Sequence, residues 1–450
     1  MILSAKQLVE ATGGILHRHA QAGSITTDTR QIMGQEWFIP LIGARFDAHN
    51  FLEKASELGC LGTIATRVPR GWTKGWIEVS DTLEALQNIA RYLRNQFDGT
   101  VVGITGSAGK TTLRVMILDI AKTLGNAHGT RGNFNNHIGL PLTIFDAHAD
   151  NQFWILEMGM NHFGEIDLLQ SIGRPQIRVI TNVGAAHTEG VGSIEGVAKA
   201  KSELFTGAQP GDLCCINLDD PFISQMEIPS GVETLTYGFH PNAQLQIIEI
   251  LVKPTALSSE VHLQWPNGEL GVLTVPSPAT HMAHNAVAAA AVGLAMGATY
   301  EQIKNGLKEY KPTGARLNIN QYENDILVID DAYNANPLSM RASINLMSQF
   351  DGRRVLCLGD MLELGPDEIA IHKEILVHAT TLENTLVFTA GPRFMKAAEQ
   401  IQDVVSASNA TELAQLVKPQ LESGDHILFK GSRGIQMERC LAQLHLRLQA

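Results

Sequence analysis

The chain has 450 residues, of which 44% are hydrophobic and 18% are charged. At ~150 residues per domain, this length indicates three domains. The mean hydropathy of +0.00 is typical of a globular protein and excludes a largely disordered chain or a membrane protein. The net charge is −12 and no basic block offsets it, so nucleic acid is not an expected partner.

The cysteines indicate a reducing compartment. They form no Cys-x-x-Cys pair, and no charged segment followed by an apolar one stands near Met1. We therefore expect a cytoplasmic protein without a leader. Its cysteines should fill the core rather than bind metal or act as nucleophiles. The five are Cys60, Cys214, Cys215, Cys357 and Cys440.

The N-terminal region is predicted to be a small α/β domain. Its first helix is capped by Ser4 and ends at Gly13 and Gly14. Short β-like pieces follow, and helix patterns then cover residues 51–58 and 82–97. We place the first domain boundary near residue 82.

The next stretch alternates strands and helices, as an α/β domain with a mainly parallel sheet does. A helix pattern runs from Lys110 to about Leu124, and the alanine-rich residues 281–297 are typical of a buried helix. The predicted strands cover residues 101–105, 153–156 and 178–183. Residues 311–314, Lys-Pro-Thr-Gly, are predicted to be a linker.

Beyond the linker, four strand patterns alternate with helical ones. The pattern predicts a doubly wound, Rossmann-like sheet whose ligands lie at the carboxyl ends of the strands. These strands cover residues 326–330, 354–358, 385–389 and 426–429. The predicted domains are therefore residues 1–82, 83–312 and 313–450, and the predicted fold class is α/β throughout.

Residues 105–112, Thr-Gly-Ser-Ala-Gly-Lys-Thr-Thr, carry the strongest chemical signal. Glycines let backbone N–H groups surround phosphate oxygens, and the following helix adds its positive N-terminus. Lys110 would reach the β- and γ-phosphates, and the Thr111 hydroxyl would bind Mg²⁺. Gly103 lies one residue too far from Gly109 for the strict phosphate-loop pattern. An ordinary glycine turn is therefore the alternative, although the flanking strand and helix favour nucleotide binding.

Three further residues are candidates because of their positions. Glu157 and His187 follow strands of the sheet that holds the loop, and Lys201 follows later in the chain. Glu157 offers the hard oxygen ligands that Mg²⁺ prefers, whereas His187 is a softer ligand. Taken singly, each could equally be a solvated or core side chain.

The loop resembles that of the Mur ligases, the ATP-dependent amide-forming enzymes of peptidoglycan synthesis. The resemblance continues in order through all three predicted domains. The further matching segments are Glu157-Met-Gly-Met-Asn161, Asn182-Val-Gly-Ala-Ala-His187, Ala198-Lys-Ala-Lys201-Ser-Glu, Gly314-Ala-Arg316, Asp330-Asp-Ala-Tyr-Asn-Ala-Asn336-Pro, Gly359-Asp-Met-Leu-Glu-Leu-Gly365 and Lys430-Gly-Ser-Arg433.

Within the family, the chain is similar to the members that add D-alanyl-D-alanine to UDP-N-acetylmuramoyl-tripeptide. The segments that carry this likeness are Asp28-Thr-Arg30, residues 43–49, Gly132-Asn-Phe-Asn-Asn136 and residues 330–337. The Asp-Asn-Pro-Arg signature of the diaminopimelate-adding ligase is absent. The alternatives are another amino-acid-adding Mur ligase, a phosphate-loop kinase or ATPase, and a non-catalytic nucleotide-binding module.

The resemblance also implies roles for individual residues. ATP phosphates would be bound by the loop, one Mg²⁺ by Thr111 and Glu157, and a second by His187 with a carbamylated Lys201. Asn285 would contact adenine, Asp331 the ribose, and Arg316 the γ-phosphate. The implied catalytic residues are Lys110, His187, Lys201 and Arg316. The loop residues are Thr105, Gly106, Ser107, Ala108, Gly109, Lys110, Thr111 and Thr112.

The remaining implied residues would bind the other substrates. On the acceptor side, the resemblance points to Lys430, Ser432 and Arg433. The residues implied to bind the UDP-sugar peptide are Asp28, Thr29, Arg30, Arg45, Asn133, Asn135 and Asn136. Two positions depart from the family, since Ala108 and Met282 stand where asparagines are common. We expect a monomer whose C-terminal domain closes over the reacting groups.

Overall fold

The computed structural model describes residues 1–449. The N-terminal region is a five-stranded sheet with strand order β1-β7-β6-β3-β2, in which β1 is antiparallel and the other strands are parallel. A two-stranded hairpin, β4 and β5, stands apart from it. The elements are α1 (Ala5–Thr12), β1 (Ile15–Arg18), β2 (Ser24–Thr26), β3 (Glu36–Phe38), β4 (Ile42–Gly43), β5 (Phe46–Asp47), α2 (Leu52–Glu57), β6 (Gly62–Ala65), β7 (Gly75–Glu78) and α3 (Thr82–Asn95).

Side-chain caps fix the ends of these helices. Ser4 accepts a hydrogen bond from the backbone of Gln7 in a capping box, and Gly13 ends α1 in the left-handed region. The structure thus confirms the predicted first helix. Asp81 caps α3, which packs against α1 on one side and against the next region on the other. The predicted boundary near residue 82 therefore falls at a helix that packs against both regions.

The central region is a nine-stranded sheet with strand order β16-β15-β14-β13-β12-β11-β8-β10-β9. Strands β8 to β14 are parallel, and β14, β15 and β16 form an antiparallel extension at one edge. Its strands are β8 (Thr100–Thr105), β9 (Ala127–Gly129), β10 (Phe153–Glu157), β11 (Ile177–Ile180), β12 (Leu213–Asn217), β13 (Glu233–Gly238), β14 (Leu245–Lys253), β15 (Ser258–Gln264) and β16 (Leu270–Val275).

The helices of the central region cover both faces of the sheet, which is why β8, β10 and β11 are almost wholly apolar and buried. Along α9, every residue from Ala286 to Gly293 is buried, because small side chains let this helix lie close to α4 and the sheet. The helices are α4 (Lys110–Lys122), α5 (Gly139–Phe145), α6 (Glu165–Gly173), α7 (Thr188–Val191), α8 (Ile194–Thr206), α9 (Thr280–Ala295) and α10 (Tyr300–Lys308).

The C-terminal region is a six-stranded sheet with strand order β17-β18-β22-β19-β20-β21. Strand β17 is antiparallel and the others are parallel, as predicted for a doubly wound sheet. Residues 309–317, which join it to α10, form neither helix nor strand. Its elements are β17 (Asn318–Gln321), β18 (Leu327–Asp331), α11 (Pro337–Met347), β19 (Arg354–Gly359), α12 (Glu368–Thr380), β20 (Thr385–Ala390), α13 (Pro392–Ala398), β21 (Val404–Ala407), α14 (Ala410–Val417), β22 (His426–Lys430) and α15 (Glu438–Leu444).

All five cysteines are buried and free, as the sequence predicts for core-filling side chains. Burial raises the pKa of the Cys60 thiol to about 11 and that of Cys214 to about 12, which keeps both unreactive. Over residues 1–449, no helix is both long and apolar enough to cross a membrane.

Candidate active site

A cleft of about 900 Å³ lies between the central and C-terminal regions. It forms where the carboxyl ends of the central parallel strands face the ends of β18 and β22, as expected for ligand sites in α/β sheets. The residues predicted from sequence that line it are Ser107, Ala108, Gly109, Lys110, Thr111, Thr112, Asn133, Asn135, Asn136, Glu157, His187, Asn285, Arg316, Asp331, Lys430 and Arg433.

The phosphate loop connects β8 to α4 and needs its glycines. Gly106 has φ 149° and Gly109 has φ 79°, both in the range that favours glycine. A Cβ on Gly106 would lie 1.7 Å from the Thr181 hydroxyl, and one on Gly109 would lie 2.9 Å from Asn285 Oδ1. No side chain of the described residues caps the N-terminus of α4. Its backbone N–H groups can therefore bind an anion.

A neighbouring segment, residues 181–184, supports the loop. The Asn182 side chain accepts a hydrogen bond from the Ala108 N–H (2.9 Å) and donates one to the Ala108 carbonyl (3.1 Å). The Ser107 hydroxyl donates to the Gly184 carbonyl at 3.0 Å. Ala108, the position that departs from the family, is therefore held through its backbone. Asn182 was given no role from sequence, because it lies within the predicted strand 178–183, whereas in the structure β11 ends at Ile180 and Asn182 follows it.

Glu157 is the centre of a buried polar cluster. It is 2% exposed, and its two oxygens accept hydrogen bonds from the Thr111 hydroxyl and the Asn135 amide, both at 2.9 Å. The Arg114 guanidinium lies 3.4 Å away. A carboxylate beside a hydroxyl at a phosphate loop is an oxygen donor set that fits Mg²⁺ bound together with nucleotide phosphates and water. Asn135, predicted to face the peptide substrate, thus contacts this cluster.

Two lysines lie in the same buried surroundings. Lys110 donates to the Gly106 carbonyl at 2.6 Å, and burial lowers the pKa of its ammonium. Lys201, on α8, is 1% exposed. Burial, first, and the nearby Lys110 charge, second, lower the pKa of Lys201 well below its usual value. A lowered pKa favours the neutral amine, which is nucleophilic and so meets the chemical requirement for reaction with CO₂.

His187 stands just before α7 in the left-handed region, with φ 59°. Its Nδ1 lies 2.7 Å from Oε2 of Glu363, a residue of the C-terminal region. The hydrogen bond from His187 lowers the pKa of the Glu363 carboxyl. The ring nitrogen Nε2 then remains for a ligand. A second Mg²⁺ would take a nitrogen donor from His187 and an oxygen donor from Lys201 only if Lys201 is carbamylated.

The described residues contain no cluster of three or more histidine, cysteine, aspartate or glutamate side chains suited to a metal. This agrees with the donor sets above, because each contains at most one acidic side chain. Mg²⁺ commonly takes most of its ligands from water and from substrate phosphates.

The C-terminal region contributes three positioned side chains to the cleft. Arg316 stacks on the ring of Tyr333, with its Cζ 3.5 Å from the ring centroid. Asp331 accepts hydrogen bonds from the Ser343 hydroxyl (2.7 Å) and the Lys430 ammonium (2.5 Å). The Asn336 amide donates to the Ser107 carbonyl at 3.1 Å, which brings the C-terminal region against the phosphate loop.

The remaining predicted residues are more dispersed. Asp28 and Arg30 lie in the N-terminal region, where they pair with each other at 2.7 Å around the short turn that contains Thr29. Arg45 stands between β4 and β5. The Asn136 side chain accepts a hydrogen bond from the backbone N–H of Gly139, the first residue of α5. Of the acceptor-side candidates, Lys430 and Arg433 line the cleft, whereas the Ser432 hydroxyl is buried and accepts a hydrogen bond from the backbone N–H of Leu362.

Further cleft residues were not found by sequence reasoning. Asn217 ends β12, Asp219 and Pro221 follow it, and His284 lies one position before Asn285. Asp219 accepts hydrogen bonds from the backbone of Phe239 and His240, so it is fixed in place. Polar residues after a strand could have indicated Asp219, but no strand was predicted in this part of the chain.

Comparisons with known proteins agree with this architecture. Residues 104–293 match the Mur ligase middle domain, and residues 315–433 match the domain described as Mur ligase, glutamate ligase domain. The chain is 36% identical to the UDP-N-acetylmuramoyl-tripeptide–D-alanyl-D-alanine ligase of Bacillus subtilis, over 98% of each chain. It is 34% identical to the enzyme of the same name from Escherichia coli, over 94% of this chain and 93% of the other.

Solved structures give the same result. A crystal structure of MurF from Acinetobacter baumannii has a TM-score of 0.93 at 32% identity and covers 99% of both chains. The MurF ligase of Thermotoga maritima, solved in complex with ADP, has a TM-score of 0.85 at 25% identity and covers 94% of this chain and 97% of the other. The chain therefore belongs to the Mur ligase family, in the group of UDP-N-acetylmuramoyl-tripeptide–D-alanyl-D-alanine ligases.

Proposed function

We propose that this protein joins D-alanyl-D-alanine to the terminal carboxylate of UDP-N-acetylmuramoyl-tripeptide, with ATP converted to ADP and phosphate. The observation that carries the proposal is the single cleft that combines the phosphate loop with Arg316 and Asp331 of the C-terminal region. An ordinary phosphate-loop ATPase would need only the loop. The full-length likeness to ligases of that name supports the choice of substrates.

The first step activates the carboxylate. A carboxylate oxygen attacks the γ-phosphorus of ATP, an O–P bond forms, and the bond to the β-phosphate oxygen breaks to release ADP. Lys110, at the N-terminus of α4, holds the phosphates, and the free N–H groups of that helix stabilise their negative charge. Arg316, held flat on Tyr333, supplies a second cation from the opposite wall.

The second step forms the amide. The amine of D-alanyl-D-alanine attacks the carbonyl carbon of the acyl phosphate, loses a proton, and expels inorganic phosphate. Water must be excluded until the amine arrives, since it would hydrolyse the acyl phosphate. The contact between Asn336 and Ser107 brings the C-terminal region over the loop, and Arg433 offers a cation on the acceptor side.

Thr111 and Glu157 would hold one Mg²⁺, and His187 with modified Lys201 a second. When bound, these ions would neutralise the charge that gathers on the transferred phosphoryl group. Asn135 and Arg114 orient Glu157 for this role.

The modification of Lys201 forms one bond. The neutral amine adds its lone pair to the carbon of CO₂, the electrons of one C=O π bond move onto oxygen, and the nitrogen releases a proton to water to give a carbamate. Burial favours this reaction because it removes the charged form of the amine, which has no lone pair to donate.

The reaction takes place in the cytoplasm and the enzyme acts as a monomer. The five free, buried thiols support a reducing compartment. One chain supplies the cleft residues of both regions, which supports the monomeric form.

The test measures phosphate release with ATP and Mg²⁺, adding UDP-N-acetylmuramoyl-tripeptide and D-alanyl-D-alanine singly and together, with mass analysis of the products. The expected result is UDP-N-acetylmuramoyl-pentapeptide and sustained phosphate release only when both are present. ATP turnover that ignores both compounds would contradict the proposed substrates while leaving nucleotide binding intact.

A further inference from the structure

The contact between His187 and Glu363 joins two regions of the molecule. His187 belongs to the loop between β11 and α7, and Glu363 follows β19 in the C-terminal sheet. Their side chains meet at 2.7 Å, and both residues have a left-handed backbone, with φ 59° and 63°. A left-handed backbone is unfavourable for these residue types, so the surrounding structure must hold both residues of the contact in place.

The atoms involved decide what the contact does to the imidazole. An ionised carboxylate only accepts hydrogen bonds, so Glu363 selects the tautomer that carries its proton on Nδ1. Nε2 is then unprotonated and keeps its lone pair, while His187 remains on the wall of the cleft. A carboxylate on one nitrogen of a histidine is a common outer-shell partner of metal sites, where it fixes both tautomer and ring orientation.

Neighbouring contacts hold the same segment. The Thr188 hydroxyl donates to the Leu364 carbonyl at 3.0 Å. Leu338 packs against Gly184, where an added Cβ would lie 3.3 Å from the leucine side chain. The C-terminal region therefore contacts residues 184–188 at several points, and Glu363 is the one that reaches the imidazole.

We propose that Glu363 is a positioning residue, which presents Nε2 of His187 to the second Mg²⁺ only when the C-terminal domain is seated on the central one. The inference rests on the proposed function for its biological meaning. With this arrangement, the second metal site is complete only when the two domains are in contact, so the acyl phosphate forms only in the closed cleft.

The experiment compares the wild-type protein with Glu363→Ala, Glu363→Gln, Thr188→Val and Glu78→Gln. Thr188→Val removes a contact between the same two segments without touching the imidazole. Glu78→Gln alters another histidine–carboxylate pair, His17 with Glu78 at 2.5 Å, far along the chain in the N-terminal region. Two readouts are used, the tautomer of His187 by ¹⁵N NMR of histidine-labelled protein, and Mn²⁺ binding in the presence of a non-hydrolysable ATP analogue.

In wild-type protein we expect a His187 signal with the proton on Nδ1 and two bound Mn²⁺ ions. Glu363→Ala should shift the imidazole proton to Nε2. It should also lower the affinity for the second Mn²⁺ by about 10- to 100-fold and leave the affinity for the first unchanged. Glu363→Gln, whose amide oxygen can still accept from Nδ1, should recover most of the wild-type affinity. Thr188→Val and Glu78→Gln should keep the wild-type tautomer.

Three outcomes would overturn the proposal. They are an unchanged tautomer in Glu363→Ala, an unchanged second Mn²⁺ affinity in that variant, and an equal loss of affinity in Thr188→Val, which would indicate a purely structural contact. Neither readout requires ligase turnover. Failure to make the pentapeptide would therefore contradict the proposed function, while the tautomer and Mn²⁺ measurements would still test the role of Glu363.

Discussion

Two buried lysines, one in each of the two large domains, have opposite electrostatic surroundings. Lys430 ends β22 at 2% exposure, and its ammonium lies 2.5 Å from Asp331 Oδ2. Lys201 lies on α8 at 1% exposure, and its charged neighbour is another cation, Lys110. Burial of a charged amine is costly unless a counter-charge offsets it. Lys430 is therefore part of an ion pair, whereas burial beside Lys110 lowers the pKa of Lys201 and favours its neutral form.

The largest expected effect is on catalysis through Lys201. Lys201→Ala should lower turnover by about 100- to 1,000-fold, since a group that stabilises transition-state charge is lost. Acetate or formate should restore part of the activity by replacing the carbamate oxygen. Lys199→Ala, an exposed lysine on the same helix, is the control. Steady-state assays decide the matter, and full activity in Lys201→Ala would remove the carbamate from the mechanism.

The second effect concerns the paired lysine. Lys430→Met leaves the Asp331 carboxylate without its ion-pair partner and should lower the free energy of unfolding by about 3–5 kcal/mol. Urea unfolding measures the change, with exposed Lys418→Met as the control. A loss below ~1 kcal/mol would show that Asp331 is already satisfied by Ser343 and the backbone of Leu317.

The same substitution at the other lysine should have the opposite sign. Lys201→Met replaces an unpaired buried amine by an apolar side chain of similar length, so it should raise the free energy of unfolding by about 1–2 kcal/mol. Thermal unfolding in CO₂-depleted buffer checks this. A destabilised variant would mean that Lys201 has a favourable partner in the folded protein, and the contrast between the two lysines would fail.

The smallest effect is a pH dependence from His281, which faces the Asp331–Lys430 pair from α9. Burial lowers the pKa of His281 to about 4 from an ordinary value of 6.5. Below pH 6.5 the unfolded chain binds a proton that the folded protein does not bind until about pH 4. Folding stability therefore falls as the pH falls through that window, by on the order of 1 kcal/mol near pH 5.5.

His281→Gln should remove this part of the acid sensitivity, and exposed His148→Gln should not. Unfolding midpoints measured between pH 7 and pH 5 give the comparison. Identical pH profiles for wild type and His281→Gln would contradict the assignment.

The local parts of the site could be predicted from sequence, because a strand, a glycine loop and a helix start are defined by consecutive residues. The structure confirms the strand, the loop and the helix around Lys110. Four of the six strands of the C-terminal sheet were also predicted, each one residue short at its carboxyl end, whereas β17 and β21 were missed. The last residues of β18 and β22, which the prediction left out, are Asp331 and Lys430. Those two residues are charged, so a hydrophobic pattern ends before them.

The long-range parts could not be predicted. His187 and Glu363 are 176 residues apart, and no local pattern relates them. The asparagines of residues 133–136 illustrate a second limit, since an amide can bind substrate, cap a helix or orient a carboxylate. In the structure, Asn136 accepts a hydrogen bond from the first N–H of α5, and Asn135 donates one to Glu157. Only the fold decides between these uses.

The five buried thiols are natural probes of local unfolding in the different regions of the molecule. Cys60 lies in the N-terminal region, Cys214 and Cys215 lie on β12, and Cys357 and Cys440 pack in the C-terminal core. Each region therefore carries its own unreactive sulfur, which becomes accessible to an alkylating reagent only when that region unfolds locally. Alkylation rates measured separately at each cysteine would therefore report the local unfolding of each of the three regions, without an engineered probe.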